Sequence, residues 1–273
     1  MREKNRPLTP EEKWEQATLA NNFIFYKVMR NHPDECKELL ELLLEIKIDH
    51  VDIASEETID IDHDSKGVRL DVYAKNSTHV FDVEVQVANT GELPERARYY
   101  QSVMDIDSLK SGELYKDLKD SHVIFLCMED IFDKGLPVYT FENICRENNT
   151  IYLDDRSYKH FFIAPTCAKM LTNNEQKAFF DLLTANKGGT SFTDRLKTFV
   201  DDAKLNTQWR MQFMTWERQQ AMAFQNGRTE GAHEKALESA RNMLADSMPA
   251  ELVAKYTGLS LAEVQQLAAE TGK

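Results

Sequence analysis

Acidic and amide side chains alternate with apolar ones across a predicted β-hairpin at residues 68–87. Because successive side chains of a strand point to opposite faces, the polar side chains gather on one face. They are Arg69, Asp71 and Tyr73 from the first strand, and Asp82, Glu84 and Gln86 from the second. Carboxylate oxygens on one face are ligands that suit Mg²⁺ or Mn²⁺. Such an ion activates water and orients a phosphodiester, so the hairpin could support phosphodiester hydrolysis.

The expected pairing of the two strands places two acids opposite each other. If residues 76–79 form a four-residue loop, Lys75 pairs with Val80 and Asp71 falls opposite Glu84. Directly opposed side chains have Cβ atoms about 4.5–5.5 Å apart, so the two carboxylates repel unless a cation lies between them. The alternation fits equally well a sheet whose polar face is solvated and has no chemical role. The pattern alone leaves both alternatives open.

The segments around the hairpin predict a mixed α/β domain. The order is helix, three strands, helix, strand, and the apolar run 123–128 indicates a strand covered on both faces. The predicted elements are a helix from Thr9-Pro10, a helix after Pro33, strands within 58–87, a helix from Pro94 to about Lys110, and short strands at 138–141 and 161–164.

The composition changes near residues 187–189, and from there the chain is almost wholly helical. We therefore predict two domains, 1–190 and 191–273, with breaks in the helical region at Asn226-Gly227 and Gly231. Residues 249–270 have the spacing of a helix-turn-helix. The second of these helices has no Lys or Arg before Lys273. We therefore interpret the segment as a packing or homo-oligomerisation module and not as a reader of DNA bases.

The charge of the chain bears on its partners. Its 273 residues have a formal net charge of -13, which argues against coating nucleic acid through bulk charge. The acidity does not exclude an enzyme that contacts DNA through metal ions. Residues 192–246 carry equal numbers of acidic and basic residues, so nearly all the excess acid lies in the N-terminal domain.

The compartment is predicted from the termini and the cysteines. Residues 1–10 have no apolar signal segment, and no apolar stretch is long enough to cross a bilayer. The four cysteines are scattered and form no CxxC pair. We expect a cytoplasmic protein with reduced thiols and no membrane association.

Several segments, taken in order, resemble the PD-(D/E)xK nuclease superfamily. Within it they are similar to the Rpn-type branch, whose members are described as transposases or recombination-promoting nucleases. The similarity extends over roughly residues 8–190. The matching segments are Lys66–Tyr73, Asp82–Gln86, Arg96–Gln101, Tyr115–Leu118 and Thr140–Asn143.

The resemblance implies a restriction-endonuclease-like αβββαβ core with a mixed central sheet, followed here by a helical C-terminal arm. It implies that Asp71 and Glu84 bind Mg²⁺ or Mn²⁺, with the Val85 backbone carbonyl as a further ligand. Gln86 stands at the usual lysine position. Glutamine can hydrogen-bond but brings no positive charge.

Two departures from the superfamily pattern need compensation. The missing lysine charge has candidate replacements in Arg69, predicted opposite Gln86, and in Arg98; with Gln101 these are also candidate phosphate contacts. The first-helix acid that often completes the metal shell is replaced by Asn22, whose carbonyl is a weaker ligand. Both departures bear on whether the site is active.

The sequence thus predicts a metal-dependent DNA endonuclease linked to recombination or mobile elements. In it Asp71 and Glu84 bind metal, and Gln86 orients water or phosphate. The alternative is a catalytically degenerate nuclease fold that serves as a DNA-binding or protein-assembly module. Substitution at Asn22 and Gln86 motivates that alternative.

Overall fold

The computed structural model describes residue 6 and residues 8–53 and 70–271. Ten α-helices and six β-strands lie in these ranges. The helices are α1 (Pro10–Gln16), α2 (Asn22–Asn31), α3 (Pro33–Leu44), α4 (Leu93–Ser108), α5 (Ala164–Met170), α6 (Asn174–Ala185), α7 (Ser191–Leu205), α8 (Thr207–Ala245), α9 (Ala250–Thr257) and α10 (Leu261–Thr271). The strands are β1 (Asp52–Ile53), β2 (Val72–Lys75), β3 (His79–Gln86), β4 (Asp120–Cys127), β5 (Val138–Phe141) and β6 (Ser157–Ile163).

The chain divides into two compact units. The larger spans Glu11–Arg210, and the smaller combines Met211–Lys273 with Met1–Pro10 as far as they are described. In the larger unit α7 contacts both α2 and α6. The domain boundary expected at 190/191 stays a prediction. No helix in the described ranges is long and apolar enough to cross a membrane.

The β2–β3 hairpin has the predicted register. Lys75 pairs with Val80, and Tyr73 pairs with Asp82. The connecting loop is held by Asn76, whose Oδ1 accepts hydrogen bonds from the backbone N–H groups of Thr78 at 2.9 Å and His79 at 2.7 Å. An Asn side chain that bonds to the backbone two residues on forms a turn of this kind. The local sequence therefore fixes the alignment of the two strands.

The sheet is mixed, with strand order β1-β2-β3-β4-β6-β5. β1, β2 and β3 are antiparallel, β3, β4 and β6 are parallel, and β5 is antiparallel to β6. This agrees with the mixed central sheet expected of the α/β core. The predicted strand at 161–164 begins earlier, at Ser157, and ends at Ile163.

Both faces of the sheet are covered by helices. On one face α4 packs against β3 and β4, burying an apolar cluster that includes Leu93, Ala97, Val123 and Phe125. On the other face Phe180 of α6 stacks on Phe162 with ring centroids 5.8 Å apart. There α3 and α7 pack against α6, and α2 packs against β2, β3, α3 and α7. β3 is consequently buried along nearly its whole length. The solvated polar face that the alternation also permitted does not form on β3.

The smaller unit contains the two short helices predicted for residues 249–270, which are α9 and α10. α9 ends at Gly258, which has a φ of 75°, and α10 begins after Ser260. The backbone N–H of Ser260 donates to Glu263 Oε2 at 2.8 Å, and the Glu263 N–H donates to Ser260 Oγ at 3.2 Å. This reciprocal capping fixes the start of α10. Val253, Leu259, Val264 and Leu267 pack with Ala240 of α8 in one core.

The predicted break at Asn226-Gly227 and Gly231 is wrong. α8 runs without interruption from Thr207 to Ala245 and includes both glycines. A glycine in a helix lowers its stability by only about 0.5–1 kcal/mol relative to alanine, so two glycines weaken a long helix without ending it.

Substituting the two α8 glycines tests this continuity. A Cβ at Gly227 or Gly231 would meet nothing within 4 Å. We therefore expect Gly227→Ala and Gly231→Ala each to stabilise the protein by about 0.5–1 kcal/mol in denaturant unfolding followed by circular dichroism. Gly258→Ala is the control: its positive φ disfavours alanine, so it should destabilise by about 1 kcal/mol. Destabilisation by either α8 substitution would contradict a continuous helix.

Candidate active site

The acidic side chains of the hairpin lie beneath α4. β3 projects Asp82 and Glu84 onto this face, and Asp71 immediately precedes β2. The backbone N–H of Asp71 donates to Glu84 Oε1 at 2.8 Å. The register therefore brings the Asp71 segment against the Glu84 carboxylate, as the strand pairing predicted.

Glu84 and Asp82 are almost completely shielded from solvent. Glu84 is 4% exposed and Asp82 is 0% exposed. Burial raises the pKa of Glu84 to about 8, and the Asp71 carboxylate adds to this rise. Burial also raises the pKa of Asp82 well above its ordinary value, with further contributions from the carboxylates of Glu84 and Asp71. No N–H group and no hydroxyl among the described residues donates to either Asp82 oxygen, so the Glu84 carboxyl is the group with which Asp82 can share a proton.

A guanidinium from α4 reaches this acidic group. Arg96 Nη2 lies 3.2 Å from Glu84 Oε2, and Arg96 Nη1 donates to Gln86 Oε1 at 2.9 Å. The guanidinium carbon lies 5.3 Å from the Tyr100 ring centroid and 5.6 Å from that of Phe125. Arg96 also donates to the Tyr100 hydroxyl at 3.0 Å. Stacking and hydrogen bonds together fix the guanidinium between Glu84 and Gln86.

Sequence reasoning missed Arg96, although the segment that contains it was noted. The signal was present: Arg96 and Tyr100 are four residues apart, so they share a helical face. Ala97 is on the face of α4 that packs into the core. The adjacent residue Arg96 can therefore reach the sheet at the edge of that face. Arg96 makes the contact with Gln86, and the role expected of Arg98 stays a prediction.

The other predicted site residues lie in different surroundings. Arg98 is exposed, whereas Gln101 is buried and donates through Nε2 to the Ser121 carbonyl at 3.0 Å. Asn22 is the first residue of α2, and its Oδ1 accepts from the Phe23 N–H at 3.0 Å. No hydrogen bond in the described ranges joins Asn22 to Asp71 or Glu84. Arg69 lies outside the described residues.

The donor set of this cluster suits a hard divalent cation. No group of three or more His, Cys, Asp or Glu side chains placed to enclose a metal occurs among the described residues. Mg²⁺, however, usually keeps several waters and takes only one or two carboxylates, which Asp71 and Glu84 can supply. The two oxygens of Asp82 lie in the same buried acidic cluster. A second positive charge would lower the energy of this arrangement.

Two family models match separate parts of the chain. Residues 21–151 match the model described as PD-(D/E)XK nuclease family transposase. Residues 233–269 match the model described as Rpn/YhgA-like nuclease family, C-terminal HTH domain. Neither curated proteins nor solved structures show a significant similarity to the chain.

The mixed sheet with its acidic hairpin and the first of these matches define a nuclease-type α/β protein of the PD-(D/E)XK superfamily. The chain belongs to the Rpn-type branch of that superfamily, since both models match in chain order. The second match also identifies the C-terminal helices as a helix-turn-helix domain, which agrees with the predicted spacing.

The raised pKa of Glu84 makes the stability of the metal-free protein depend on pH. The ordinary pKa is 4.5 and the folded value is about 8, so folding favours the protonated form. That contribution is complete below about pH 4.5 and is lost as pH rises through about 8. In a chelating buffer we expect stability to fall as pH rises from about 4.5 to about 8, by a few kcal/mol.

Glu84→Gln should reduce this decline in thermal unfolding, because the amide cannot ionise. Glu95→Gln on the exposed surface of α4 is the matched control and should keep the wild-type pH profile. Equal pH slopes for Glu84→Gln and the wild type would show that Glu84 does not titrate in this range.

Proposed function

We propose that this protein is a Mg²⁺- or Mn²⁺-dependent DNA endonuclease that hydrolyses phosphodiester bonds during recombination or the movement of mobile elements. The observation that carries the proposal is the contact of Arg96 with both Glu84 and Gln86 beside Asp71. It joins two carboxylates, an amide and a fixed cation in one partly buried cluster of a PD-(D/E)XK family chain.

Asp71 and Glu84 would hold the metal, with the Val85 backbone carbonyl as a further ligand. When bound, the ion would supply a water of lowered pKa and a Lewis acid for the phosphate. Glu84 already uses Oε1 to accept from the Asp71 N–H. That hydrogen bond fixes the carboxylate orientation, so the ligand pair is arranged before an ion arrives.

Elsewhere in the superfamily a lysine at the position of Gln86 supplies positive charge. Here Arg96 and Gln86 together would take that role. Gln86 accepts from Arg96 through Oε1, and its Nε2 donates to the Ala88 carbonyl. In this role Gln86 holds the guanidinium in place, and Arg96 offsets negative charge that develops on the phosphate. The missing positive charge at Gln86 would thus come from α4.

DNA contact beyond the cluster would depend on a few basic side chains. Arg98 is exposed on α4, and no hydrogen bond to its guanidinium occurs among the described residues. With a net charge of -13, the protein should bind DNA weakly without metal and lose affinity steeply as salt rises. Three roles remain predictions: phosphate contact by Arg69, phosphate contact by Gln101 after a rearrangement, and a ligand role for Asn22.

The C-terminal helix-turn-helix domain would serve assembly of the protein, including homo-oligomerisation. α10 exposes Gln265 and Gln266, but it has no Lys or Arg within Leu261–Thr271. A helix that reads DNA usually contacts phosphates and guanine with basic side chains.

The four thiols are all free, and three are buried, which supports the predicted reducing cytoplasmic location.

The rival function is a degenerate nuclease domain kept for DNA binding or protein assembly. It is favoured by the use of both Glu84 oxygens within the chain, one by Asp71 and one by Arg96. If Arg96 already balances Glu84, the fold could persist without any metal. The two functions differ in whether Mn²⁺ stabilises the protein.

A thermal-shift titration with Mn²⁺ or Mg²⁺ separates them. We expect the wild type to melt at a higher temperature with metal, and Asp71→Ala to lose the increase, because a ligand of the folded state stabilises it by mass action. Cleavage of plasmid DNA should be abolished by Asp71→Ala and by Glu84→Ala. Unchanged cleavage in these variants would remove both residues from the site, and no metal response in the wild type would favour the degenerate fold.

The role of Arg96 is tested by separating metal affinity from cleavage. Arg96→Ala should lower cleavage about a hundredfold, as loss of one transition-state donor does elsewhere. Metal affinity should stay equal or increase, because the guanidinium no longer competes for Glu84. Arg228→Ala removes the same charge from an exposed site on α8 and should change neither. Full cleavage by a folded Arg96→Ala protein would contradict the role.

A further inference from the structure

A cavity of about 580 Å³ lies between α4 and the β5–β6 side of the sheet. α4 contributes Arg98, Gln101 and Asp105 to its wall, and β6 contributes Lys159 and Phe161. Arg96, by contrast, leaves α4 toward Glu84 on β3. Since β4 separates β3 from β6 in the sheet, the cavity and the acidic cluster lie on opposite flanks of the same helix.

Three phenylalanines form the apolar wall. Phe132 lies 5.2 Å from both Phe141 and Phe161, and Phe141 lies 5.8 Å from Phe161, all between ring centroids. Phe161 is buried, whereas Phe141 is 43% exposed. An exposed ring at the entrance beside buried rings offers a stacking surface for a planar aromatic group. Stacking of one nucleobase on such a ring typically changes affinity by about tenfold or more.

The polar wall has unused hydrogen-bonding capacity. Gln101 is 5% exposed, and its Oε1 has no partner in the described ranges. An acceptor of this kind is satisfied by an entering donor, such as the exocyclic amino group of a base. The Arg98 guanidinium, likewise without a hydrogen-bond partner there, can bind one phosphate.

The charges in the wall balance, which restricts the ligand. Arg98 and Lys159 are basic, and Asp105 and Glu142 are acidic. A polyphosphate would meet the two carboxylates unfavourably, whereas a neutral heteroaromatic ring with one phosphate would not. The volume lies within the roughly 300–1,000 Å³ typical of sites for small ligands, so a base with its sugar fits.

We propose that this cavity receives one unstacked nucleobase of the DNA strand that the Asp71–Glu84 cluster cleaves, with Arg98 on its phosphate. This inference rests on the proposed nuclease function. A helix with its side chains is about 10–12 Å across. The captured base therefore lies on the far side of α4 from the scissile bond. Because unstacking costs less in mismatched or single-stranded DNA, those substrates bind more tightly than perfect duplex.

Binding of oligonucleotides that contain 2-aminopurine tests the cavity without requiring cleavage. The full-length protein is titrated in chelating buffer against single-stranded DNA, mismatched duplex and perfect duplex, and anisotropy and 2-aminopurine emission are recorded. We expect emission to change on binding because the base stacks on phenylalanine. Phe141→Ser and Arg98→Ala should each weaken binding about tenfold and remove the emission change. Phe224→Ser and Arg228→Ala, both exposed on α8, are the matched controls and should bind as the wild type.

Deoxyadenosine monophosphate in a parallel titration distinguishes a base within a strand from a free nucleotide. Competition only by oligonucleotides supports the strand, and equal competition by the free nucleotide overturns it in favour of a small-molecule site. If the folded Phe141→Ser and Arg98→Ala proteins keep the affinity and the emission change of the wild type, the cavity is not a base site. A protein that binds in this way but never cleaves would disprove the nuclease function alone, since the readout does not depend on hydrolysis.

Discussion

The contact between Arg96 and Glu84, which becomes an ion pair when the Glu84 carboxyl ionises, is the constraint on which the rest of the candidate site depends. A carboxylate that is 4% exposed loses nearly all its hydration, and an unpaired buried charge costs several kcal/mol. Arg96 compensates from 3.2 Å, but only if α4 lies across β3 and β4 with this side chain turned to the sheet. Leu93 and Ala97 of α4 are buried in the apolar cluster against the sheet, and they hold the helix in that position.

One guanidinium does not balance the acid beneath it. The carboxylates of Glu84 and Asp71 raise the pKa of Asp82, and the Asp71 carboxylate raises the pKa of Glu84. Such a cluster must bind either protons or a further cation. The burial that makes the cluster costly for folding also makes it attractive to a divalent ion, because few waters compete for the carboxylates.

Local sequence features predicted the hairpin and its register, but they did not predict which arginine faces the acids. The register follows from two-residue alternation and from the Asn76 loop, both short-range effects. Arg96 and Arg98 are two residues apart, and adjacent residues on a helix differ by about 100°. Their directions therefore depend on the rotation of α4 against the sheet, which is a tertiary property. The two α8 glycines were wrongly predicted to interrupt the helix. Glycine has a low helix propensity, but this weak effect does not by itself end a long helix.

The rotation of α4 also changes what the acidity of the chain implies. A net charge of -13 would oppose DNA if the acids faced it, but Asp82 and Glu84 of the hairpin are buried and Glu84 lies against Arg96. On the other flank of α4, Arg98 is exposed beside an aromatic cavity whose wall charges balance. α4 thus separates a region of excess negative charge, suited to a metal, from one without excess charge, suited to a base. In the proposed function the scissile phosphate and the captured base would lie on opposite sides of α4, and this asymmetry would set the polarity of the bound strand.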